Sequence, residues 1–308
     1  MKRDIRFLVT NSCNYGCYFC HNEGIVNSLV RHDLTVDDYV WLFNTYKELE
    51  QWNEVTLSGG EPLIYFQIDA LVEKLYLAGA KITIVTNGSL LSEHLLMLKY
   101  VERINVSIHT MNEEIYETIT NRKRVFKKVI ENLKIVRGLY PNLKIRLNVT
   151  PCKSNNWNTE QLKALISFAR EIDATVKCTE LFPNTDLSNC ITIGELENQL
   201  KQLGYFYTEN TTRTMQYNNT MGYPCVFLTQ CTCSKAITMS SPVDYCRSTH
   251  DLYINHDGTV PLCRLSKESM ELWEEVKERN TDIISKKMEI AMRRVSGEKC
   301  NRYLRGIY

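Results

Sequence analysis

The stretch NSCNYGCYFCHNEG, residues 11–24, places three cysteines within eight positions of the chain. It follows the strand-like run IRFLVT, and the next strand-like run ends in SGGEP, residues 58–62. Because thiolates bind zinc and iron–sulfur clusters, this spacing indicates a metal site on the loop after the first strand. Two kinds of site are open at this point: a zinc site completed by His21, and an iron–sulfur cluster with one iron left open.

The number of thiols on this loop favours the cluster. A [4Fe-4S] cluster held only by Cys13, Cys17 and Cys20 has one iron with an open coordination position, which can bind a second cofactor or a substrate. A structural zinc site instead needs four ligands, and the adjacent Cys20 and His21 make that geometry awkward.

Composition and charge indicate the class of protein. The chain has 308 residues, 44% hydrophobic and 24% charged, which suits one large domain or a domain with an appendage. Lys and Arg number 37 against 36 for Asp and Glu, so no overall charge attracts nucleic acid or an anionic membrane. The first apolar run is about five residues long, too short for a signal peptide or a membrane span. We therefore expect a cytoplasmic protein without nucleic-acid or membrane partners.

Twelve cysteines in a reducing compartment indicate metal binding or catalysis. Three of them lie on the opening loop. Cys152, Cys178 and Cys190 are scattered, and we interpret them as small buried hydrophobic residues. The other six lie in the last third of the chain, at Cys225, Cys231, Cys233, Cys246, Cys263 and Cys300.

Strand and helix patterns alternate from Ile5 to about Phe182, which predicts an α/β fold. Six such units predict a parallel sheet curled into a partial (β/α)6 TIM-like barrel, with functional residues at the carboxyl ends of the strands. The cysteine loop, SGGEP, TNG (86–88) and Ser107 with His109 all lie at such ends. The predicted strands are 5–10, 54–58, 81–88, 103–110, 144–150 and 175–181, and the predicted helices are 36–49, 67–78, 91–100, 124–138 and 159–171.

The pattern changes after Pro183, which predicts a barrel over residues 1–182 and a small cysteine-rich α+β region over 183–308. Within that region, IGELENQLKQLG is typical of a helix, and residues 267–297 are mostly helical in pattern. DLYINHDGTVPLCR, residues 251–264, predicts a β-hairpin with its turn at Asp257-Gly258.

The motif Cys13-x3-Cys17-x2-Cys20 resembles the cluster loop of the radical S-adenosylmethionine (SAM) superfamily, and GGEP resembles its SAM-binding element. The resemblance implies a [4Fe-4S] cluster whose open iron binds SAM. It also implies reductive cleavage of SAM to a 5′-deoxyadenosyl radical that abstracts a substrate hydrogen, with an external one-electron donor such as flavodoxin or ferredoxin.

The same resemblance implies roles for particular side chains. Tyr18 is expected against the adenine of SAM, Ser107 at its ribose or methionyl part, and Thr86 at the border of the pocket. The residues of GGEP are expected at the methionyl amino group, and they are Gly59, Gly60, Glu61 and Pro62.

Within that superfamily, INVSIHTMNEEIYETITNRKRVFKKVIENLK and CHNEG most resemble the GTP 3′,8-cyclases of molybdenum-cofactor biosynthesis, over roughly residues 5–182. The pattern Cys246-x11-Gly258-x4-Cys263 is similar to the first element of the auxiliary-cluster regions named SPASM and twitch. It implies a second [4Fe-4S] cluster. The favoured ligands of that cluster are Cys246, Cys263 and Cys300, and Cys225, Cys231 and Cys233 compete for the remaining position.

Departures from the cyclases bear on the substrate. Asp251 and Tyr253 stand where the cyclases carry the arginines that read the nucleotide, whereas Arg6 and Arg146 match basic positions of their pocket. We therefore expect a small anionic molecule, nucleotide- or sugar-like, that is rearranged, cyclised or oxidised, and not GTP itself. Modification of a ribosomally made peptide is the alternative, and a non-catalytic zinc or iron–sulfur binding module is a remote one.

Overall fold

The computed structural model describes residues 4–20, 33–181, 187–210, 214–230, 241, 251–262 and 268–293. Its strands are β1 (Ile5–Leu8), β2 (Glu54–Ser58), β3 (Lys81–Thr86), β4 (Arg103–Ser107), β5 (Lys144–Val149), β6 (Ala174–Thr179), β7 (Tyr205–Asn210), β8 (Thr214–Asn219), β9 (Val226–Thr229), β10 (Leu252–Asn255), β11 (Thr259–Pro261) and β12 (Ser269–Glu271). Its α-helices are α1 (Val36–Glu50), α2 (Ile68–Leu77), α3 (Glu113–Thr120), α4 (Phe126–Leu139), α5 (Thr159–Glu171), α6 (Ile193–Gln202), α7 (Trp273–Lys277) and α8 (Thr281–Arg293).

Ten of the described strands form one sheet in the order β10-β1-β2-β3-β4-β5-β6-β9-β8-β7. Strands β1 to β6 are parallel neighbours in chain order. Strand β10 pairs in parallel with β1, and β9 pairs in parallel with β6, so both ends of the series are extended. The α/β class and the partial parallel barrel predicted from the sequence are confirmed.

The two faces of this sheet differ in polarity, as alternation along a strand requires. One face packs against helices, including α2 on β3 and α5 on β6. On that face Ile104, Val106 and Leu147 are fully buried, and each such side chain stabilises the fold by about 1.5–3 kcal/mol. The opposite face, the inner face, carries half-buried polar residues on β4 to β6: Asn105, Ser107, Arg146, Asn148, Thr175 and Lys177.

Helix bounds follow their capping residues. Helix α5 begins after Asn158, whose side chain accepts a hydrogen bond from the backbone N–H of Gln161. Helix α1 begins after Thr35, which forms a reciprocal capping box with Asp38. Because such caps satisfy N–H groups that have no partner in the first turn, they fix where a helix starts.

Three segments differ from the sequence-based expectation. Residues 91–100 form two 3₁₀ helices, Leu91–Glu93 and Leu95–Tyr100, in place of one α-helix. Helix α3 was not predicted. Strands β7, β8 and β9 lie in the segment that showed only one helical pattern, and β7 and β8 are antiparallel additions to the sheet.

The hairpin predicted over residues 251–264 is wrong in its pairing. A turn is present, since Gly258 has φ 79° and its N–H donates to the carbonyl of Asn255 at 3.0 Å. However, β10 joins the barrel sheet beside β1, and β11 pairs antiparallel with β12. The sharp turn therefore connects a strand of the barrel sheet to a strand of the small two-stranded sheet. The antiparallel pair of this region is β11 with β12.

The predicted boundary at residues 182 and 183 separates two regions that share one sheet. Strands β9 and β10, both beyond the boundary, pair with β6 and β1, both before it. No helix of the described residues is long and apolar enough to cross a membrane.

Candidate active site at the carboxyl ends of the strands

The three cysteines lie on the loop that follows β1. Cys13 and Cys20 are exposed and Cys17 is half-buried. Burial, and then the neighbouring thiols of Cys20 and Cys13, raise the pKa of Cys17 to about 12. A thiol whose ionisation is opposed by burial and by its neighbours is suited to a positively charged metal centre, which stabilises the thiolate. His21 lies outside the described residues.

The cysteine loop is held from one side by the end of α3. The N–H of Gly16 donates to the carbonyl of Thr120 at 2.9 Å, and the N–H of Tyr18 donates to the carbonyl of Ile119 at 3.3 Å. The carbonyls of the last helical turn have no partner within the helix, so the loop satisfies them. Arg122, just beyond the helix, donates its Nε–H to the carbonyl of Asn14.

From the other side, the glycines of GGEP lie directly against the cysteine loop. The N–H of Gly60 donates to the carbonyl of Thr10 at 2.8 Å, and the N–H of Glu61 donates to the carbonyl of Ser12 at 2.9 Å. A Cβ added at Gly59 would lie 2.3 Å from the oxygen of Thr10, and one at Gly60 would lie 2.2 Å from that of Ser12. Gly59 and Gly60 therefore pack directly against the backbone of the cysteine loop, and no side chain fits at either position.

Glu61 joins the ends of β2 and β3. Its side chain is 1% exposed and accepts hydrogen bonds from Thr86 Oγ1 at 2.6 Å, the N–H of Asn87 at 2.7 Å and the N–H of Leu63 at 3.1 Å. Burial raises the pKa of this carboxyl to about 7, against the lowering effect of those donors. Glu61 and Thr86, both predicted at SAM, are thus buried and bonded to each other.

A ring of three polar side chains ties the cysteine loop to the loop after β3. Asn87 donates its side-chain amide to Asn14 Oδ1 at 2.7 Å, and Asn14 donates its own amide to Ser89 Oγ at 2.9 Å. Ser89 closes the ring by donating its hydroxyl to Asn87 Oδ1 at 2.7 Å. This ring positions the residue next to Cys13.

The aromatic pair of the cysteine loop points toward β4 and β5. Tyr18 is 49% exposed, and its hydroxyl donates to Asn155 Oδ1 at 2.7 Å. Phe19 meets His109 edge to face at 4.8 Å between ring centroids. Burial lowers the pKa of His109 to about 4, so the ring is neutral, and its Nδ1 accepts from the N–H of Thr150 at 3.1 Å.

Ser107 is the last residue of β4 and lies on the inner face, aligned with Asn148 of β5. The structure therefore brings the cysteine loop, GGEP, Thr86, Tyr18 and Ser107 to one edge of the sheet. This edge is the one at which parallel α/β folds bind ligands.

The two predicted substrate arginines lie on different strands of the inner face. Arg6 of β1 contacts Asp251, with 3.7 Å between Nη2 and Oδ2, and its guanidinium lies 5.3 Å above the ring centre of Tyr253. Asp251, which we predicted to stand in place of a cyclase arginine, thus lies directly against Arg6. Arg146 of β5 lies 4.8 Å above the ring centre of Phe227, and burial lowers its pKa to about 10.

Of the cysteines predicted for a second cluster, only Cys225 is described. Its thiol is half-buried next to Arg146, and burial raises its pKa to about 11 while the guanidinium acts in the opposite direction. The other five predicted ligands lie outside the described residues, and they are Cys231, Cys233, Cys246, Cys263 and Cys300.

Within the part of the chain that the structure describes, no three Cys, His, Asp or Glu side chains gather around one ion-sized point. In a cubane cluster each thiolate would bind a different iron, and Cys13, Cys17 and Cys20 are the thiols of this loop that could hold one.

Sequence reasoning missed the residues that hold the loop in place. Asn14, Ser89 and the end of α3 are not part of the motifs, although Asn112 followed by two glutamates is a usable signal for the start of α3. The partners of Asn14 lie 73 and 75 positions away, and no local pattern marks such a pair.

Known proteins match this chain along most of its length. A probable GTP 3′,8-cyclase of Pyrobaculum aerophilum is 27% identical over 282 residues, which cover 90% of this chain and 89% of the relative. The GTP 3′,8-cyclase of Aquifex aeolicus is 25% identical over 295 residues, covering 90% and 86%. The crystal structure of Streptococcus suis SuiB bound to S-adenosylmethionine has the same fold, with a TM-score of 0.68 at 17% identity, covering 97% of this chain and 69% of that one.

The family assignment rests on the sequence profile of the radical SAM superfamily, which matches residues 7–166. The matched segment contains the three cysteines, GGEP and the strand ends that bring them together. The chain is an enzyme of the radical SAM superfamily.

Proposed function

We propose that this enzyme cleaves SAM reductively at a [4Fe-4S] cluster held by Cys13, Cys17 and Cys20, and that it transforms a small anionic molecule inside the barrel. The observation that carries the proposal is the bracing of the cysteine loop. Gly60 bonds to its backbone, and Asn87 bonds to the side chain of Asn14 beside Cys13. A loop fixed from β2 and β3 suits a cofactor whose open position must face the inside of the barrel.

Held by Cys13, Cys17 and Cys20, the cluster would supply the electron for reductive cleavage of SAM, and SAM would supply the 5′-deoxyadenosyl radical that abstracts a substrate hydrogen. The side chains of this chain bind and orient. Ser107 lies at the rim of the inner face, and Tyr18 is exposed beside the cysteine loop; we assign both to SAM contacts. Glu61 and Thr86 hold the GGEP turn from beneath. The surrounding barrel excludes water from the reacting groups.

We also propose a second [4Fe-4S] cluster in the C-terminal region, with Cys246, Cys263 and Cys300 as its favoured ligands and Cys225, Cys231 or Cys233 as a further one. Four protein ligands would make it an electron conduit, and three would leave an iron open for substrate. A flavodoxin or ferredoxin is the proposed electron donor, and the reducing cytoplasm is the compartment that suits so many thiols.

The proposed substrate is a nucleotide- or sugar-like molecule of a biosynthetic pathway, and it is not GTP. The likeness to GTP 3′,8-cyclases supports a nucleotide-like molecule, whereas the contact of Asp251 with Arg6 opposes a triphosphate. A carboxylate beside an arginine cancels much of its attraction for a polyanion. Incubation with GTP, SAM and reductant without oxygen tests this, and a cyclised purine with increased 5′-deoxyadenosine would refute it.

A second candidate substrate is a ribosomally made peptide. Among the described strands β7 is the last in the sheet, and its Phe206 and Tyr207 are about half exposed, so its edge offers an extended peptide a place to pair. Mass spectrometry of a precursor peptide encoded near the gene, incubated with the reduced enzyme and SAM, decides this case.

The decisive experiment for the activity is the Cys17→Ala variant. We expect it to lose SAM cleavage, measured as 5′-deoxyadenosine formed by the reconstituted, reduced enzyme. Cys178→Ala is the control, because Cys178 is a buried cysteine of β6 that none of the proposed sites uses. Cleavage at the wild-type rate by Cys17→Ala would refute the proposed cluster site.

A further inference from the structure

The inner face of β4 and β5 carries a group of buried polar atoms that the protein itself does not satisfy. Asn105 Oδ1, Arg146 Nε and Asn148 Oδ1 are each inaccessible to solvent and have no hydrogen-bond partner among the described residues. Buried polar atoms are almost always paired, and an exception in a binding cleft indicates a ligand.

These three side chains are neighbours on one face of the sheet. Asn105 of β4 is paired in register with Arg146 of β5, and Asn148 lies two residues further along the same face, beside Ser107. Adjacent strands are about 4.8 Å apart and alternate residues about 6.6 Å apart, so the group matches a small molecule with two or three polar atoms. Its upper corner, Ser107, is the residue assigned to SAM.

The contacts of Arg146 leave its guanidinium able to bind an anion. Its guanidinium lies against the ring of Phe227, 4.8 Å from the centroid, and it makes no ion pair within the described part of the chain. A half-buried cation without an anion has lost part of its hydration without compensation, and a planar guanidinium whose face packs on a ring presents its N–H edge to a carboxylate or phosphate. The two amide oxygens beside it accept hydrogen bonds and therefore suit O–H or N–H groups.

We propose that Asn105, Arg146 and Asn148 form the substrate subsite of this enzyme, and that it binds an anionic carboxylate or phosphate next to a hydroxyl or amine group. The proposal rests on the proposed function for the identity of the reaction, and it names the chemistry that the substrate must present. The group places that part of the substrate directly below the SAM contact at Ser107.

Thermal unfolding of the cluster-loaded enzyme tests the subsite without turnover. SAM is present in excess and reductant is omitted, so that added anions do not occupy the SAM pocket. The probes are acetate and glycolate for the carboxylate class, and inorganic phosphate and glycerol phosphate for the phosphate class, each against sodium chloride of equal ionic strength. A fragment with a Kd of about 10 mM, present at about 100 mM, raises the midpoint by roughly 2 °C.

We expect a saturable increase with one class, larger for the member that also carries a hydroxyl. Arg146→Gln should abolish the increase, and Asn105→Ala and Asn148→Ala should remove only the advantage of the hydroxyl. Arg170→Gln is the matched control, because Arg170 lies 4.7 Å above the ring centre of Tyr223 but on helix α5. If Arg146→Gln does not fold, Asn105→Asp supplies an internal carboxylate and should suppress the response to added anions.

Two results would overturn the subsite: no saturable increase with any of the four anions, or an equal increase in wild type and Arg146→Gln. SAM cleavage without substrate is measured on the same preparations. A wild-type enzyme that cleaves SAM but shows no anion response refutes the subsite alone, whereas absence of SAM cleavage in the wild type refutes the proposed function.

Discussion

Asn87 donates its side-chain amide to Asn14 Oδ1 at 2.7 Å, across 73 positions of the chain. The bond connects the loop after β3 with the residue that follows Cys13, and Ser89 closes the ring from the same loop. Because the ring is formed by side chains with no other role in the motifs, its contribution can be measured separately from that of the cysteines.

We expect Asn14→Ala and Asn87→Ala to be coupled. Each single substitution removes the hydrogen bond between them. The double variant should therefore lose about 1 kcal/mol less unfolding free energy than the sum of the losses in the two single variants. Thermal unfolding of the cluster-loaded proteins measures this difference, and the rate of iron loss to a chelator should increase in all three variants. Strict additivity would show that the two side chains do not interact.

Gly60→Ala should displace the cysteine loop. The added Cβ would lie 2.2 Å from the carbonyl oxygen of Ser12, a backbone atom that cannot rotate away. We expect a loss of stability of about 2 kcal/mol or more and a several-fold decrease in bound iron and SAM cleavage. Gly138→Ala is the control, because nothing lies within 4 Å of its Cβ position and α4 should become slightly more stable.

Glu61 should make stability depend on pH near neutrality. Its folded pKa of about 7 lies above the ordinary value of 4.5. Its contribution is therefore fully present below pH 4.5 and is lost as the pH rises through 7, by roughly 3 kcal/mol at most.

Thermal midpoints of cluster-loaded protein at pH 6 and pH 8 measure this effect, and we expect the lower midpoint at pH 8. In Glu61→Gln the difference between the two pH values should shrink, although the variant is less stable at both, because an amide N–H faces the N–H of Asn87. Glu73→Gln, an exposed position on α2, should keep the wild-type difference. An unchanged difference in Glu61→Gln would contradict the assignment.

A triple alanine variant at Cys13, Cys17 and Cys20 should retain iron, about four atoms per chain, in the C-terminal cluster. The reason is that the proposed ligands of that cluster are all separate from the opening loop. Iron and sulfide analysis after anaerobic reconstitution measures it. Iron at background level would show that the C-terminal region holds no cluster of its own.

The barrel was largely predictable because its signals are local. Buried strands such as β2 and helices with a clear cap such as α5 coincide with the predicted segments. Edge strands carry less hydrophobic signal, and in β7 only Tyr205 is buried. The pairing of β10 depends on β1, nearly 250 positions earlier, so a local hairpin pattern was misleading there.

The residues of the candidate site also differ in how far the sequence alone could identify them. Cys13, Cys17, Cys20 and GGEP were visible as motifs, because cluster binding requires closely spaced thiols on one loop. Asn105 and Asn148 were not visible, because an asparagine on a strand acquires meaning only when its neighbour is a buried arginine on the next strand.

Strand β10 lies beside β1, and β9 lies beside β6, although both come from the second half of the chain. A fragment that stopped at residue 182 would therefore have bare backbone N–H and C=O groups along both outer strands of its six-stranded sheet. Exposed edges of this kind pair with other chains. Expression of the first 182 residues should thus yield aggregates. The C-terminal region protects the barrel from this association, because its strands β9 and β10 occupy both edges.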